Sequence, residues 1–333
     1  MTKGKTEWQI ILFFAVMKSN MTRLTVGNPA GTIKLRDHVY QFYIPEFSRP
    51  TGKYAAKSFV RLMNAFFQRG SIAMLSNPCT PGIGLPELSK EQLEELRKNT
   101  PFRTVIINKN GQCTQDNEIC FPAEPFMVVK IPGTWKSAED YVGAMQSKYR
   151  VRTKKVYEFS QSLKSTVYSG TQIPETLFPK LAELLSQTLS KKTLALPPDL
   201  HGLLKAFAYQ YAEQFEIEVY KDKDDKIIGF LSRIHLDKTT FALHIGYNAD
   251  IARELHIYQR MMYDLIISSI QKGMTEVNLG RTATEIKSTL GAEPVGNMVM
   301  LVSKNPIIRV AARVYLKYFY KTPVYTIRKP FKA

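Results

Sequence analysis

The stretch IIGFLSRIHLDKTTFALHIGY, residues 227–247, decides the fold. Its two arms are rich in β-branched and aromatic residues and meet at the tight polar pair Asp237-Lys238, so they read as an antiparallel hairpin. Along the second arm, the two-residue strand period puts Phe241, Leu243, Ile245 and Tyr247 on one face and His244 on the other. A third strand, Phe215–Tyr220, precedes them across the polar turn Lys221–Lys226, giving a three-stranded meander.

Working outward, a long helix is expected from about Ile251 to Lys272. Leu255, Tyr258, Met262, Leu265, Ile266 and Ser269 share one side of it, and Gly273 is its stop. Thr275–Leu279 reads as a strand ending at Gly280, followed by a short helix to about Leu290 and the strand Met298–Ser303. Upstream, Pro179 starts a helix with the stripe Leu181, Leu184, Leu185 and Leu189. Pro197-Pro198-Asp199 opens another, with Leu203, Leu204, Phe207 and Tyr211 facing inward. Helix, helix, three strands, helix, strand, helix, strand suits an α+β sheet with helices on its faces.

The first half mixes strands and helices. A helix is expected over Lys57–Phe67 and a strand over Ser71–Leu75. The two prolines and Gly82 make Asn77–Gly82 a dense turn, and Ser89 with Gln92 forms a capping box opening a helix to about Asn99. Phe102–Asn108 is β-rich and leads into an Asn110-Gly111 turn; Phe126–Ile131 is a further strand. A helix then begins near Ser137, with Asp140 three residues on and Tyr141, Met145 and Tyr149 on one stripe. Ser160–Thr176, rich in Ser and Thr, reads as the connection between halves. No internal repeat stands out.

Length and charge bound the function. The chain has 333 residues, enough for two domains, and its 44% apolar and 23% charged residues suit a globular protein. Lys and Arg number 46 against 29 Asp and Glu, a net +17 that attracts phosphate-rich partners: nucleic acid, anionic lipid or nucleotide cofactors. Cys79, Cys113 and Cys120 match no zinc spacing and read as reduced, structural thiols of a cytoplasmic protein. The apolar run Ile10–Met17 follows Lys3 and Lys5 as in a signal peptide. No small-residue cleavage site follows it, and it is far short of the roughly 20 residues that span a bilayer, so a first strand is expected there.

The element order and a set of motifs together resemble the GNAT acyltransferase superfamily, in its Fem-like branch of peptidoglycan-bridge aminoacyltransferases. Asp140-Tyr141 followed by Ser147-Lys148-Tyr149-Arg150-Val151-Arg152 is similar to the "lys-tyr-arg" helix of that branch. Gly280-Arg281-Thr282-Ala283-Thr284-Glu285-Ile286-Lys287, with Gly291-Ala292-Glu293-Pro294, is similar to its closing motif. The resemblance spans Phe126–Ser303. It implies an α+β GNAT-like (acyl-CoA N-acyltransferase) fold in two tandem copies: a degenerate half over 1–160, an acyltransferase half over 161–303, and a basic aromatic tail over 304–333. One departure stands out. The turn before the long helix, Asn248-Ala249-Asp250-Ile251-Ala252-Arg253, lacks the glycines with which many GNAT enzymes cradle the CoA pyrophosphate.

The implied chemistry is attack of an amine on an acyl-CoA thioester or an aminoacyl-tRNA ester. It needs positioning, a route for the amine proton and dipoles at the developing oxyanion. Neither a Ser-His-Asp set nor a His-rich metal cluster is present, in keeping with direct transfer without a metal. Lys148, Tyr149, Arg150 and Arg152, with Lys154 and Lys155, are the candidates for donor phosphates, or else a solvated basic face. Gly280, Arg281, Lys287 and Tyr258 are candidates for substrate binding. Glu285, Tyr247 and His244 are the candidates for acid–base work, although a lone strand histidine and single tyrosines also serve simply as packing residues. In the tail, Arg309, Arg313, Lys317 and Lys321 recur every four residues beside apolar positions, with no acidic residue after Pro306. Such a helix closes a core, lies peripherally on an anionic inner membrane face, or tracks a phosphate backbone. The readings left open are an acyl-CoA N-acyltransferase acting on an envelope or lipid precursor, an aminoacyl-tRNA-dependent transferase, and a non-enzymatic nucleic-acid or membrane-surface protein.

Overall fold

The computed structural model describes residues 31–36, 38–43, 72–75, 80, 82–110, 119–190, 199–252, 254–318, 320 and 324–332. The Ile10–Met17 strand, the Lys57–Phe67 helix, most of the Asn77–Gly82 turn, and Gly111 lie outside the described residues. The chain forms two compact units, each assembled from separated stretches. One comprises 1–125, 193–198 and 296–324, the other 126–192, 199–295 and 325–333.

The first unit carries a hairpin, β1 (Gly31–Leu35) with β2 (His38–Phe42). Its main sheet runs in the order β3 (Ile72–Met74), β4 (Thr104–Asn110), β13 (Asn297–Ser303), β5 (Ile119–Pro122). The capping box is formed as the sequence dictates. The Ser89 hydroxyl accepts the Gln92 N–H and the Gln92 side chain accepts the Ser89 N–H, which starts α1 (Lys90–Asn99). Leu93 and Leu96 of α1 then join Ile33, Leu35, Val105 and Val302 in one core. Cys120 of β5 is disulfide-bonded, which corrects the expectation of three reduced thiols; its partner lies outside the described residues.

The second unit is built on a seven-stranded sheet. Its order is β12 (Glu293–Val295), β6 (Phe126–Lys130), β11 (Glu276–Asn278), β10 (Thr239–Tyr247), β9 (Ile227–Leu236), β8 (Phe215–Lys221), β7 (Lys164–Ser169). One face is covered by α4 (Phe178–Ser190) and α5 (Leu200–Tyr211). Against the other pack α2 (Ala138–Ala144), α3 (Ser147–Phe159) and α6 (Ile257–Gln271), whose Met261, Met262, Leu265 and Ile266 are buried with Met127, Val129 and Leu231. A short α7 (Thr284–Ser288) links β11 to β12. From α4 to β12 the order is helix, helix, three antiparallel strands, helix, strand, helix, strand. This is the GNAT-like α+β order expected from the sequence, with β12 rather than Met298–Ser303 as its last strand, and β10 and β11 run parallel within it.

The pairing pattern repeats in the two sheets. In the second unit β10 pairs parallel with β11, β11 antiparallel with β6, and β6 antiparallel with β12. In the first, β3 pairs parallel with β4, β4 antiparallel with β13, and β13 antiparallel with β5. The strand Met298–Ser303, expected to close the second half, therefore lies in the first unit's sheet. Phe126–Lys130, expected in the first half, lies in the second. The units consequently cross the boundaries expected at residues 160 and 303.

Other differences have local causes. Ser160–Thr176, expected as a connection, contains the polar edge strand β7, which pairs with β8 from Lys164↔Lys221 to Ser169↔Glu216. The helix from Ser137 breaks at Met145, which is extended and bridges to Phe331, while the Gln146 N–H donates to the Pro330 carbonyl. The expected tail 304–333 is accordingly two structures, a helix in the first unit and a strap, Tyr325–Lys332, in the second. The long helix begins at Ile257 rather than Ile251 because His256 adopts φ 46°.

Gly246 of β10 shows how tightly α4 sits on the sheet. A Cβ there would collide with Phe230 Cε1 and lie 2.6 Å from the Leu185 nitrogen and 2.9 Å from the Leu184 carbonyl carbon. The last two are helix backbone, which cannot rotate away. Gly246→Ala is expected to destabilise the second unit by about 2–3 kcal/mol, read from urea unfolding. An unchanged midpoint would mean that α4 shifts freely on β10.

Candidate functional site

A central strand is normally buried on both faces, and β9 obeys this rule while its neighbour β10 does not. β10 pairs with β11 for only three residues, Thr239↔Glu276 to Phe241↔Asn278. Beyond them, among the described residues, it continues to Tyr247 with no strand on that side. Where the two strands part, Ala242, Leu243, Ile245 and Tyr247 remain half-exposed. A register shift between Ala242 and Ile245 marks a bulge at the same place. Bulges re-aim side chains and recur beside functional sites. This one changes the expected alternation. Thr240, whose hydroxyl accepts from Ser269 of α6, faces α6; Ala242, Ile245 and Tyr247 pack toward the same core.

The turn after β11 forms the other wall. Gly280 takes φ 76°, and Thr282 and Ala283 take φ 64° and 50°. For a β-branched threonine this left-handed region is strained, and such strain, of order 1–3 kcal/mol, persists only where surroundings impose it. Here the Asn278 side chain accepts the Gly280 N–H at 2.9 Å, the Gly280 carbonyl accepts the Met127 N–H at 3.1 Å, and Lys287 Nζ donates to the Arg281 carbonyl at 2.5 Å. Lys287 is only 3% exposed, so its ammonium serves the turn from inside the fold. The gap to β10 is narrow: a Cβ placed on Gly280 would stand 4.0 Å from the Ala242 carbonyl oxygen.

The expected site residues divide. Tyr247 and Tyr258 meet edge to face, with ring centroids 6.5 Å apart, at the open end of β10. Burial, and then the neighbouring Tyr247, push the Tyr258 phenol above its ordinary pKa, so it stays a protonated donor. Gly280, Arg281 and Lys287 form the turn, and the Arg281 guanidinium lies 5.9 Å from the Phe126 ring centroid. His244 sits on the opposite side of the sheet from Tyr247. It is buried, 3.1 Å from the Ser232 hydroxyl through Nδ1 and edge-on to Phe207. Glu285 points outward and pairs with Arg328 of the C-terminal strap at 2.6 Å.

The basic helix faces another cleft. Arg150 and Lys154 of α3 line a cavity of about 810 Å³ with Val151, Val167, Arg260 and Asp264. In its floor Asp264 accepts from Arg260 at 2.7 Å, Tyr157 at 2.8 Å and Tyr220 at 3.0 Å. Arg150 Nη1 also donates to the Met145 carbonyl at 2.6 Å, Lys148 lies over the buried Tyr149 ring, and Arg152 is exposed. The sequence reading missed Asn278, the bulge and the strained Thr282-Ala283 pair. The Asn-x-Gly spacing before the closing motif is a turn signal that could have found the first. Among the described residues, no cluster of His, Cys, Asp or Glu has the arrangement of a metal site.

The strand order, the parallel pair that opens and the clamped turn beside it define a GNAT-type fold with an open strand edge. No protein-family model matches the chain and no curated protein matches it in sequence. Similar solved structures include L-PGS from Bacillus licheniformis, 12% identical with a TM-score of 0.45, covering 68% of this chain and 76% of that one. FemX is 10% identical with a TM-score of 0.43, covering 84% and 89%. A GCN5-related N-acetyltransferase from Sphaerobacter thermophilus is 11% identical with a TM-score of 0.39, covering 61% and 60%.

Proposed function

We propose that the protein is an N-acyltransferase that moves an acyl group from acyl-CoA to an amine at the open edge of β10, the acceptor being an envelope or lipid precursor. The observation that carries this reading is the parting of β10 from β11 over a half-exposed apolar stretch. The pantetheine arm of CoA carries two amides, which pair with a bare strand edge as an added strand does. The acyl chain would lie on Ala242 and Ile245. The glycine-free turn 248–252 offers no backbone nest for the pyrophosphate, so the fit rests on the strand edge rather than on that turn.

In the reaction the amine lone pair attacks the thioester carbonyl. The C–S bond then breaks, the thiolate leaves with a proton, and the amine proton passes to water. Backbone N–H groups along the parted stretch of β10, other than those of His244 and Tyr247, which donate to Ser232 and Thr188, suit the oxyanion. Tyr258, held protonated, donates a hydrogen bond to the departing thiolate, which takes its proton from the water that received the amine's, with Tyr247 positioning its ring. His244 and Glu285, committed to Ser232 and Arg328, take no part in the transfer. The first unit would then be a degenerate GNAT copy.

Native mass spectrometry against acetyl-CoA, long-chain acyl-CoA and charged tRNA tests the donor. A stoichiometric acyl-CoA complex is expected. Retention of charged tRNA alone would replace this reading with an aminoacyl-tRNA-dependent transferase using the basic face of α3, and retention of neither would point to a non-enzymatic protein. Tyr258→Phe is expected to lower kcat by about 10–100-fold with KM unchanged. An unaltered kcat would remove the phenol from the transfer site.

A further inference from the structure

The helix α8 (Pro306–Tyr318) of the first unit is amphipathic in an inverted sense. Its inward face is slight: Ala312 and Tyr315 are buried, and Ile308 and Leu316 are half-buried. Ile307, Val310, Ala311, Val314 and Tyr318, spaced at i, i+3, i+4, i+7 and i+11, form a second apolar stripe that faces outward. Ile307 is 76% exposed, Val310 59% and Tyr318 67%, values that a closing helix packed on its core would not show. Arg309, Arg313 and Lys317 fall together along one flank, and no acidic residue occurs between Lys304 and the end of the chain.

We propose that α8 seats the protein on an anionic lipid surface, with the outward stripe entering the headgroup boundary and the basic flank meeting lipid phosphates. Two properties of the helix select this partner. A nucleic-acid backbone would satisfy the cations but leave Ile307, Val310 and Tyr318 in water. A second copy of the chain would cover the stripe but set like-charged flanks together on molecules already at +17. A membrane interface takes both at once, and a helix of 13 residues suits lying in its plane. The surface is remote in kind from the acyl-transfer site, so neither proposal depends on the other.

Flotation of the full chain with phosphatidylcholine vesicles, with and without phosphatidylglycerol, tests this. Retention is expected only with phosphatidylglycerol. Arg313→Gln with Lys317→Gln should weaken it roughly 25-fold, since each cation near an anionic surface adds about a factor of five. Ile307→Ser with Val314→Ser should weaken it by about tenfold or more. The double change Lys223→Gln, Lys226→Gln, on an exposed turn of the other unit, should leave it unchanged and so separates α8 from net charge. All changed residues are exposed, and thermal unfolding checks that each variant folds. Equal retention of wild type and both α8 variants overturns the proposal, as does binding of RNA but not of vesicles, or conversion of a dimer to a monomer by the serine variant without vesicle binding.

Discussion

Arg233→Ala is expected to destabilise the second unit by about 3–5 kcal/mol, lowering its unfolding temperature by roughly 10 °C or more. Arg233 is 1% exposed at the centre of β9, and its Nε and Nη1 each bond a carboxylate of β8, Glu216 and Glu218, at 2.8 Å. Glu216 is further held by His235 at 3.0 Å and by Lys272, which caps the end of α6, at 2.6 Å. Removing the guanidinium strands the buried Glu218 carboxylate, takes one of three partners from Glu216 and leaves a cavity where its stem lay. Adding Glu216→Gln and Glu218→Gln to the alanine variant should recover much of the loss, because the penalty is that of unpaired charge. If the triple variant is as unstable as the single one, packing rather than charge carries the effect.

The same cluster sets an acid limit. Burial alone would raise the Glu216 carboxyl, but His235, the charge of Arg233 and the Lys272 ammonium outweigh it and hold the group well below the usual carboxylate range. A depressed carboxyl contributes stability that is complete above the unfolded value, about 4.3, and is lost as pH falls from there toward the folded value. The wild type should therefore lose stability steeply below about pH 4.3. The Glu216→Gln variant should lose less over that range.

What the sequence made legible was local. The β-branched and aromatic run 227–236, the Asp237-Lys238 turn, the Ser89–Gln92 box and the Leu181–Leu185 stripe each specify an element through residues a few positions apart, and each element is present. Partner choice was not legible. Phe126–Ile131 and Met298–Ser303 both read as strands, yet periodicity cannot say that each pairs in the sheet of the other half. The edge strand β7 escaped because four of its six residues face solvent, so it lacks an apolar face to read. The break at Met145 depends on Phe331, 186 positions away in the chain, and the bulge in β10 inverts a face with no change in composition. Of the expected site residues, Tyr247 and Tyr258 lie at the open end of β10 and Gly280, Arg281 and Lys287 at the turn after β11, places that turn and packing signals flank in the sequence. His244 and Glu285 were drawn elsewhere by Ser232 and Arg328, contacts that spacing does not reveal.

Under the proposed function, Lys287→Met should lower acyl transfer by about 100-fold while costing about 1–3 kcal/mol of stability. Methionine retains the apolar stem in a position that is 3% exposed and removes only the ammonium. The Arg281 carbonyl then loses its 2.5 Å donor, and the left-handed Thr282-Ala283 pair loses one of the contacts that impose its strain. Relaxation of that pair would move the Gly280–Arg281 wall relative to Ala242 across the gap, and a misplacement of about 1 Å is enough to cost two orders of magnitude in rate. The effect should fall on kcat rather than on donor affinity, since the β10 edge is untouched. Lys287→Arg offers the discriminating control: it keeps a donor and should restore part of the rate if the hydrogen bond to the turn is what matters. A methionine variant with normal kcat would show that the turn holds without the ammonium, and would move the working wall of the cleft away from Gly280.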